Sequence, residues 1–225
     1  MKDITAVLTI RNRPEKLARN CINSLLAQTC PCEIILVDFG SSEENLKWER
    51  SLTNEVVTLI GVKKDTEIFN KSRALNIGFK AANTDYVLST DIDCVFAPNF
   101  IEEVMRALEI PKTVALCQKI DLDKEGNERA LHEPSASGSC IAIDRNWINK
   151  VHGYDEFYTL WGREDNDLVD RAVQDGYIVR WVTDKTKMYH QWHPPAISNT
   201  LKKNVWYYEI TNKPLVRNGE RWGEL

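Results

Sequence analysis

The chain has 225 residues, more than a usual single domain and less than two comfortable ones, so one large domain with a short C-terminal appendage is the economical expectation. A composition 43% hydrophobic and 28% charged is that of an ordinary globular protein, and a net charge of -4 gives no cationic face for nucleic acid. No apolar stretch of membrane-spanning length occurs, and Met1-Lys2-Asp3-Ile4-Thr5 lacks the order of a secretion signal, which predicts a cytoplasmic protein, compatible with a peripheral place at a membrane.

Residues 6–10 (Ala-Val-Leu-Thr-Ile) form an apolar run suited to a buried strand, stopped by Arg11-Asn12-Arg13-Pro14. Residues 14–27 carry Leu17, Cys21 and Leu25 at helical spacing, with Glu15 in the first turn where the helix dipole favours an anion. A second strand is predicted over 33–37, ending in the turn-rich Asp38-Phe39-Gly40-Ser41-Ser42, and a polar helix over 43–52. A strand over 56–62, a helix over 70–82 with Ala74, Ile77, Gly78 and Ala81 on a close-packing face, and a strand over 86–90 continue the alternation. Alternating strands and helices imply an α/β domain with a mostly parallel sheet.

The second half predicts a helix over 98–108, a strand over 113–120, a loop over 121–127 and a strand over 140–143. Helices over 144–151 and 165–175 follow, closed by Gly153 and Gly176, then a strand over 177–182. Residues 196–225 read as a C-terminal extension with an amphipathic helix. The six cysteines sit in apolar runs and read as reduced thiols; Cys30-Pro31-Cys32 reads as loop thiols before a strand.

Chemistry concentrates in three places. Asp91-Ile92-Asp93 follows a buried strand and points to the crevice where open α/β sheets bind ligands. Mg²⁺ or Mn²⁺ takes such carboxylates and leaves its other positions to phosphate and water, whereas a solvated acidic turn accounts for the triplet taken alone. Trp161-Gly162-Arg163-Glu164-Asp165-Asn166-Asp167 offers acids that either cap a helix or supply a general base. His190 and, second to it, His193 are candidate metal ligands, three residues apart beside a turn; His132 and His152 read as loop residues.

With Ile10-Arg11-Asn12-Arg13, the stretch from Phe69-Asn70-Lys71-Ser72-Arg73 to Phe79 and Tyr189-His190-Gln191, these motifs make the chain resemble the inverting glycosyltransferases of the GT-A fold. The likeness is to the β-1,4-galactosyltransferase and bacterial chondroitin-polymerase type, runs from the first strand to His190, and implies a domain over residues 1–195. It implies a Rossmann-like GT-A domain using a nucleotide-sugar donor, UDP-sugar favoured, and a glycan, lipid-linked or other hydroxyl acceptor. It further implies that Arg11 and Arg13 line the nucleotide pocket, Asp38 lies against the base and Arg73 reaches the diphosphate. Asp93 becomes the direct metal ligand, and Asp91 contacts ribose or the metal through water. Trp161 and Gly162 shape the cleft, Asp165 is the base and Glu164 stands beside the donor sugar.

Two positions depart from the family pattern. Arg163 replaces a second glycine and Asn166 replaces one acid, so donor and acceptor identity do not carry over. The small-residue segment 135–143 with Gly138 resembles the family's loop before the acceptor site, though a simple turn explains it as well. Tyr154 and Trp161 are either sugar-stacking or core aromatics. Two rival functions fit the same fold: a sugar-nucleotide pyrophosphorylase, whose glycine-rich loop with a lysine is missing after Ile10, and a non-catalytic carbohydrate-binding module, against which the joint presence of Asp93, Asp165 and His190 argues.

Overall fold

The computed structural model describes residues 3–62, 68–131, 139–194 and 201–224, and for residues 130–131 the backbone alone. The first half alternates as expected: β1 (Ile4–Ile10), α1 (Glu15–Leu26), β2 (Glu33–Phe39), α2 (Glu43–Arg50), β3 (Val57–Val62), α3 (Lys71–Ala81) and β4 (Tyr86–Asp91). The short strand β5 (Cys94–Phe96) and α4 (Phe100–Leu108) follow, then β6 (Thr113–Leu116), β7 (Lys119–Leu122), β8 (Glu128–Leu131) and β9 (Cys140–Asp144). The chain continues through α5 (Arg145–Val151), α6 (Glu164–Gln174), β10 (Ile178–Trp181), β11 (Met188–His190) and α7 (Leu201–Ile210).

Seven strands form the central sheet in the order β10-β6-β9-β4-β1-β2-β3. It is mostly parallel, with β9 running antiparallel to both its neighbours, β4 and β6. Because both faces are covered, the inner strands are apolar on each side rather than alternating with polar residues. Ile4, Ala6, Leu8 and Ile10 of β1 pack with Cys21, Ile22 and Leu25 of α1 and with Phe100 and Val104 of α4. Val7 points the other way, into Ala74, Leu75 and Ile77 of α3 and the layer that includes Trp147, Ile148 and Leu168.

Four expectations are corrected. The strand predicted over 113–120 is two strands in two sheets, because the chain leaves the central sheet after Leu116 and joins a four-stranded sheet ordered β5-β11-β7-β8. Residues 121–122, expected in a loop, belong to β7, and β5, β8 and β11 were not anticipated; strands of three or four residues carry too little periodicity to be read. Ala81 is exposed, and the residue buried there is Ala82. In the tail a helix does form, but Asn204 is its buried residue, while Trp206 and Ile210 stand in solvent. The predicted loop histidine His132 and the segment at Gly138 lie outside the described residues.

Candidate active site

Parallel strands bring their carboxyl ends to one rim of the sheet, and register decides which residues meet there. Ile10 of β1 pairs with Asp38 of β2, and Thr9 with Asp91 of β4, so the first strand's exit is flanked by both aspartates. The second sheet adds a further alignment: His190 pairs with Cys94 on one side and with Asp121 on the other, which sets His190 beside Asp93.

Lys71 gathers the acids. Its Nζ lies 3.0 Å from Asp91 Oδ1, 3.4 Å from Glu164 Oε1 and 3.6 Å from Asp165 Oδ2. Burial works against the ammonium, but Asp165, Asp91 and Glu164 outweigh it and hold its pKa well above the usual lysine value. Burial would also raise Asp91, yet Lys71 and Lys119 keep it well below the usual carboxylate range, aided by a hydrogen bond from Ser139. Lys119 in turn donates to Ser139 Oγ at 3.1 Å.

Glu164 and Asp165 open α6, where the exposed amides of a helix N-terminus favour carboxylates. Gly162 donates its backbone N–H to Glu164 Oε2 at 2.8 Å, and Tyr154 donates its hydroxyl to Asp165 Oδ1 at 3.0 Å. Burial, and then the charge of Asp165, raise the pKa of Glu164. Gly162 has φ +106, a backbone conformation that side chains other than glycine's rarely adopt. Arg163, in place of the family's glycine, also sits in the left-handed region at φ 74. Trp161 is 60% exposed at the cleft edge, its carbonyl held by Asn204 of α7, whereas Tyr154 is fully buried, which settles it as a core aromatic.

A second group forms on the other side of the aspartate pair. His193 Nε2 lies 3.2 Å from Asp93 Oδ2, and His190 Nε2 3.7 Å from Asp93 Oδ1. One ligand atom from each of the three residues falls within 4.8 Å of the others. His190 Nδ1 meets Asp121 Oδ1 at 2.9 Å, the carboxylate support that orients metal-binding imidazoles. The donor set therefore fits a divalent cation. The hydrogen bond to Asp93 raises the pKa of His193 against the opposing effect of burial.

The remaining predicted residues divide. Arg13 reaches Asp93 at 3.5 Å, a cation beside the carboxylate rather than a ligand. Asp38 is buried at the end of β2, accepts from Ser41 N at 3.0 Å, and lines a cavity of about 750 Å³ with Gly40, Ser41, Gly61 and Val62. Asn12 ties the loop after β1 to the same rim by donating its N–H to Ser41 Oγ at 3.0 Å. Arg11 is half-buried at the exit of β1. Arg73, by contrast, is turned away to donate to the Glu224 carbonyl at 3.0 Å. Lys71, Lys119, Ser139 and Asp121 were not singled out in the sequence.

The pattern of the family described as "Glycosyl transferase family 2" matches residues 5–168. Beta-1,4-galactosyltransferase 1 of Mus musculus is 26% identical over 155 residues, covering 63% of this chain and 37% of its own length. Chondroitin synthase of Escherichia coli is 24% identical over 220 residues, covering 74% of this chain and 31% of its own. The chain thus spans about a third of the length of these relatives. Among solved structures, GalNAc-T7 with UDP, GalNAc and Mn2+ superposes with a TM-score of 0.69 at 18% identity, over 93% of this chain and 49% of that one. S. aureus TarS in complex with UDP-GlcNAc gives 0.70 at 16% identity, over 86% and 60%. These neighbours share the GT-A fold expected from the sequence.

Proposed function

The chain belongs to glycosyl transferase family 2, and from that membership and its acid cluster we propose that it transfers a sugar, with inversion, from a nucleoside diphosphate sugar to an acceptor hydroxyl. A UDP-sugar is the favoured donor, in keeping with the UDP and UDP-GlcNAc bound by the two structural neighbours; the acceptor is a glycan or another hydroxyl compound. The observation that carries this reading is the separation of two tasks across one cleft. Asp93, His190 and His193 converge on one side, and Glu164 and Asp165 stand on the other, with Asp91 and Lys71 between them.

Asp93, His190 and His193 would hold Mn²⁺ or Mg²⁺, which when bound offsets the negative charge of the departing diphosphate. Asp165 takes the acceptor's hydroxyl proton as the new C–O bond forms at the anomeric carbon. The bond from that carbon to the diphosphate breaks, and its electron pair leaves on the phosphate oxygen. Lys71 keeps three carboxylates within one site that would otherwise repel one another. Arg11, Arg13 and Asp38 frame the nucleotide end of the cleft.

The test is release of nucleotide from UDP-Gal, UDP-GalNAc, UDP-GlcNAc and GDP-Man with and without Mn²⁺, which needs no acceptor other than water. Asp165→Asn is expected to lower turnover by roughly 10²–10⁴-fold while calorimetry shows UDP affinity retained. Asp93→Ala is expected to abolish the Mn²⁺-dependent rate. A wild-type rate in Asp165→Asn, or unaltered metal dependence in Asp93→Ala, removes the corresponding assignment.

A further inference from the structure

Of the carboxylates around Lys71, Asp165 is held differently from the rest. Asp91 engages Lys71 through Oδ1 and Ser139 through Oδ2. Glu164 engages Lys71 through Oε1 and the Gly162 amide through Oε2. Among the described residues Asp165 has one firm partner, the Tyr154 hydroxyl at 3.0 Å from Oδ1, while Oδ2 has the looser 3.6 Å approach of Lys71.

Tyr154 is itself fixed with unusual completeness. Its side chain is 0% exposed, and its ring stacks on Phe79 with centroids 5.8 Å apart. Its backbone is clamped by Asn76, which accepts from Tyr154 N at 2.8 Å and donates to Tyr154 O at 2.9 Å, and by Asn218 Nδ2, which donates to the same carbonyl at 2.5 Å. Ser89 Oγ on β4 lies 2.7 Å from the phenol oxygen. Since the phenol's one proton goes to Asp165, Ser89 is the donor in that contact, its other acceptor, the Ile141 carbonyl, lying farther off at 3.5 Å, and the chain runs Ser89 to Tyr154 to Asp165. Burial pushes the Tyr154 pKa well up, so the phenol remains a donor across the physiological range.

A phenylalanine ring would fill the same apolar space without burying a hydroxyl, whose desolvation is unfavourable unless it finds a partner. The hydroxyl spans from the hydrophobic layer under α3 to the first turn of α6. A carboxylate tethered at one oxygen loses its rotation about the terminal torsion, and the other oxygen is then aimed in a constant direction.

We propose that Tyr154 is the positioning residue of the base, fixing Asp165 through Oδ1 so that Oδ2 is the oxygen that receives the acceptor's proton. Ser89 sets the direction of the phenol proton, and Asn76 and Asn218 hold the ring's backbone. This rests on the reading of Asp165 as the base.

The experiment compares Tyr154→Phe, Ser89→Ala, the double variant and Asp165→Asn, using Mn²⁺-dependent UDP release from whichever UDP-sugar the wild type hydrolyses fastest. Tyr154→Phe is expected to lower kcat by between about tenfold and 10²-fold, with the Kd for UDP unchanged and the thermal midpoint within about 4 °C of wild type. Ser89→Ala is expected to give a smaller loss, and to add nothing in the Tyr154→Phe background. A wild-type kcat in Tyr154→Phe overturns the proposal. So does a kcat loss matched by an equal loss of UDP affinity or a collapsed thermal midpoint, since either marks a general packing role. Additive losses in the double variant sink the relay. If Asp165→Asn keeps a wild-type rate, the base assignment fails first; if it is inactive while Tyr154→Phe is normal, the positioning role alone falls.

Discussion

Lys71 occupies the first turn of α3, just after the N-cap Asn70, where the helix dipole disfavours a cation. That mismatch is a signal a sequence can carry: a lysine there needs acids nearby, and the fold supplies three. Arg73, in the same stretch, carries the guanidinium that suits phosphate, but a residue two positions on points to another side of the helix. Glu49 is a second residue that sequence alone left unread. It is fully buried on α2 with both carboxylate oxygens lacking a hydrogen-bond partner among the described residues. Burial, and then the charge of Asp38, push its pKa up to about 7. Its folded-state pKa is above its unfolded one, so it imposes no penalty below about pH 4.5, and a growing one as pH rises towards 7. The full penalty above that window is ~3 kcal/mol. Glu49→Gln is therefore expected to flatten the fall of thermal midpoint between pH 5 and pH 8, measured by calorimetry; parallel curves for variant and wild type would refute this.

At the scale of elements, the long strands and helices were legible because each has either a continuous apolar run or a 3.6-residue stripe. α1 buries Ala18, Cys21, Ile22 and Leu25, and α4 buries Phe100, Ile101, Val104 and Leu108, both patterns visible in the chain. The second sheet was not legible, since β5 and β11 are three residues each and their pairing links positions about ninety residues apart. Helix α3 approaches the sheet closely at Gly78, where a Cβ would meet Val7 Cγ1 at 2.2 Å and Val37 Cγ2 at 3.2 Å. Alanine in a helix gains roughly 0.5–1 kcal/mol over glycine, but overpacking against a branched side chain of the central strand costs about 1–3 kcal/mol. Gly78→Ala should accordingly lower the urea midpoint with little change in slope. An increase would show that β1 and α3 can separate at no penalty.

Across the whole molecule, residues 201–224 are joined to the turn before α6 and to α6 itself by buried ion pairs and hydrogen bonds, with Trp222 set into the core. Arg217 reaches Asp155 at 2.7 Å and Asp167 at 3.6 Å, and Arg171, fully buried, reaches Asp167 at 2.8 Å, the Leu215 carbonyl at 2.9 Å and the Gly153 carbonyl at 2.9 Å. Tyr207 adds a hydrogen bond to Asp155, and Gly223 donates to Glu156 at 2.7 Å. Removing Arg217 leaves the buried Asp155 with hydrogen bonds from Tyr207 and the Phe157 amide but without its cation, so Arg217→Met is expected to destabilise the fold by about 3 kcal/mol in urea unfolding. A loss within about 0.5 kcal/mol would place residues 201–224 outside the cooperative unit. None of the six cysteines is paired with another, and no described helix is long and apolar enough to cross a membrane. The sequence by itself determined the α/β layering, the five motifs in order and the residue types able to carry metal and proton chemistry, because periodicity and composition are local properties. Only the tertiary structure decided that Lys71 and not Arg73 meets the acids, that Asp121 supports His190, and that Tyr154 reaches Asp165. Those contacts arise from strand register and from helices packed across the sheet, which join residues too distant in the chain for any local pattern to record.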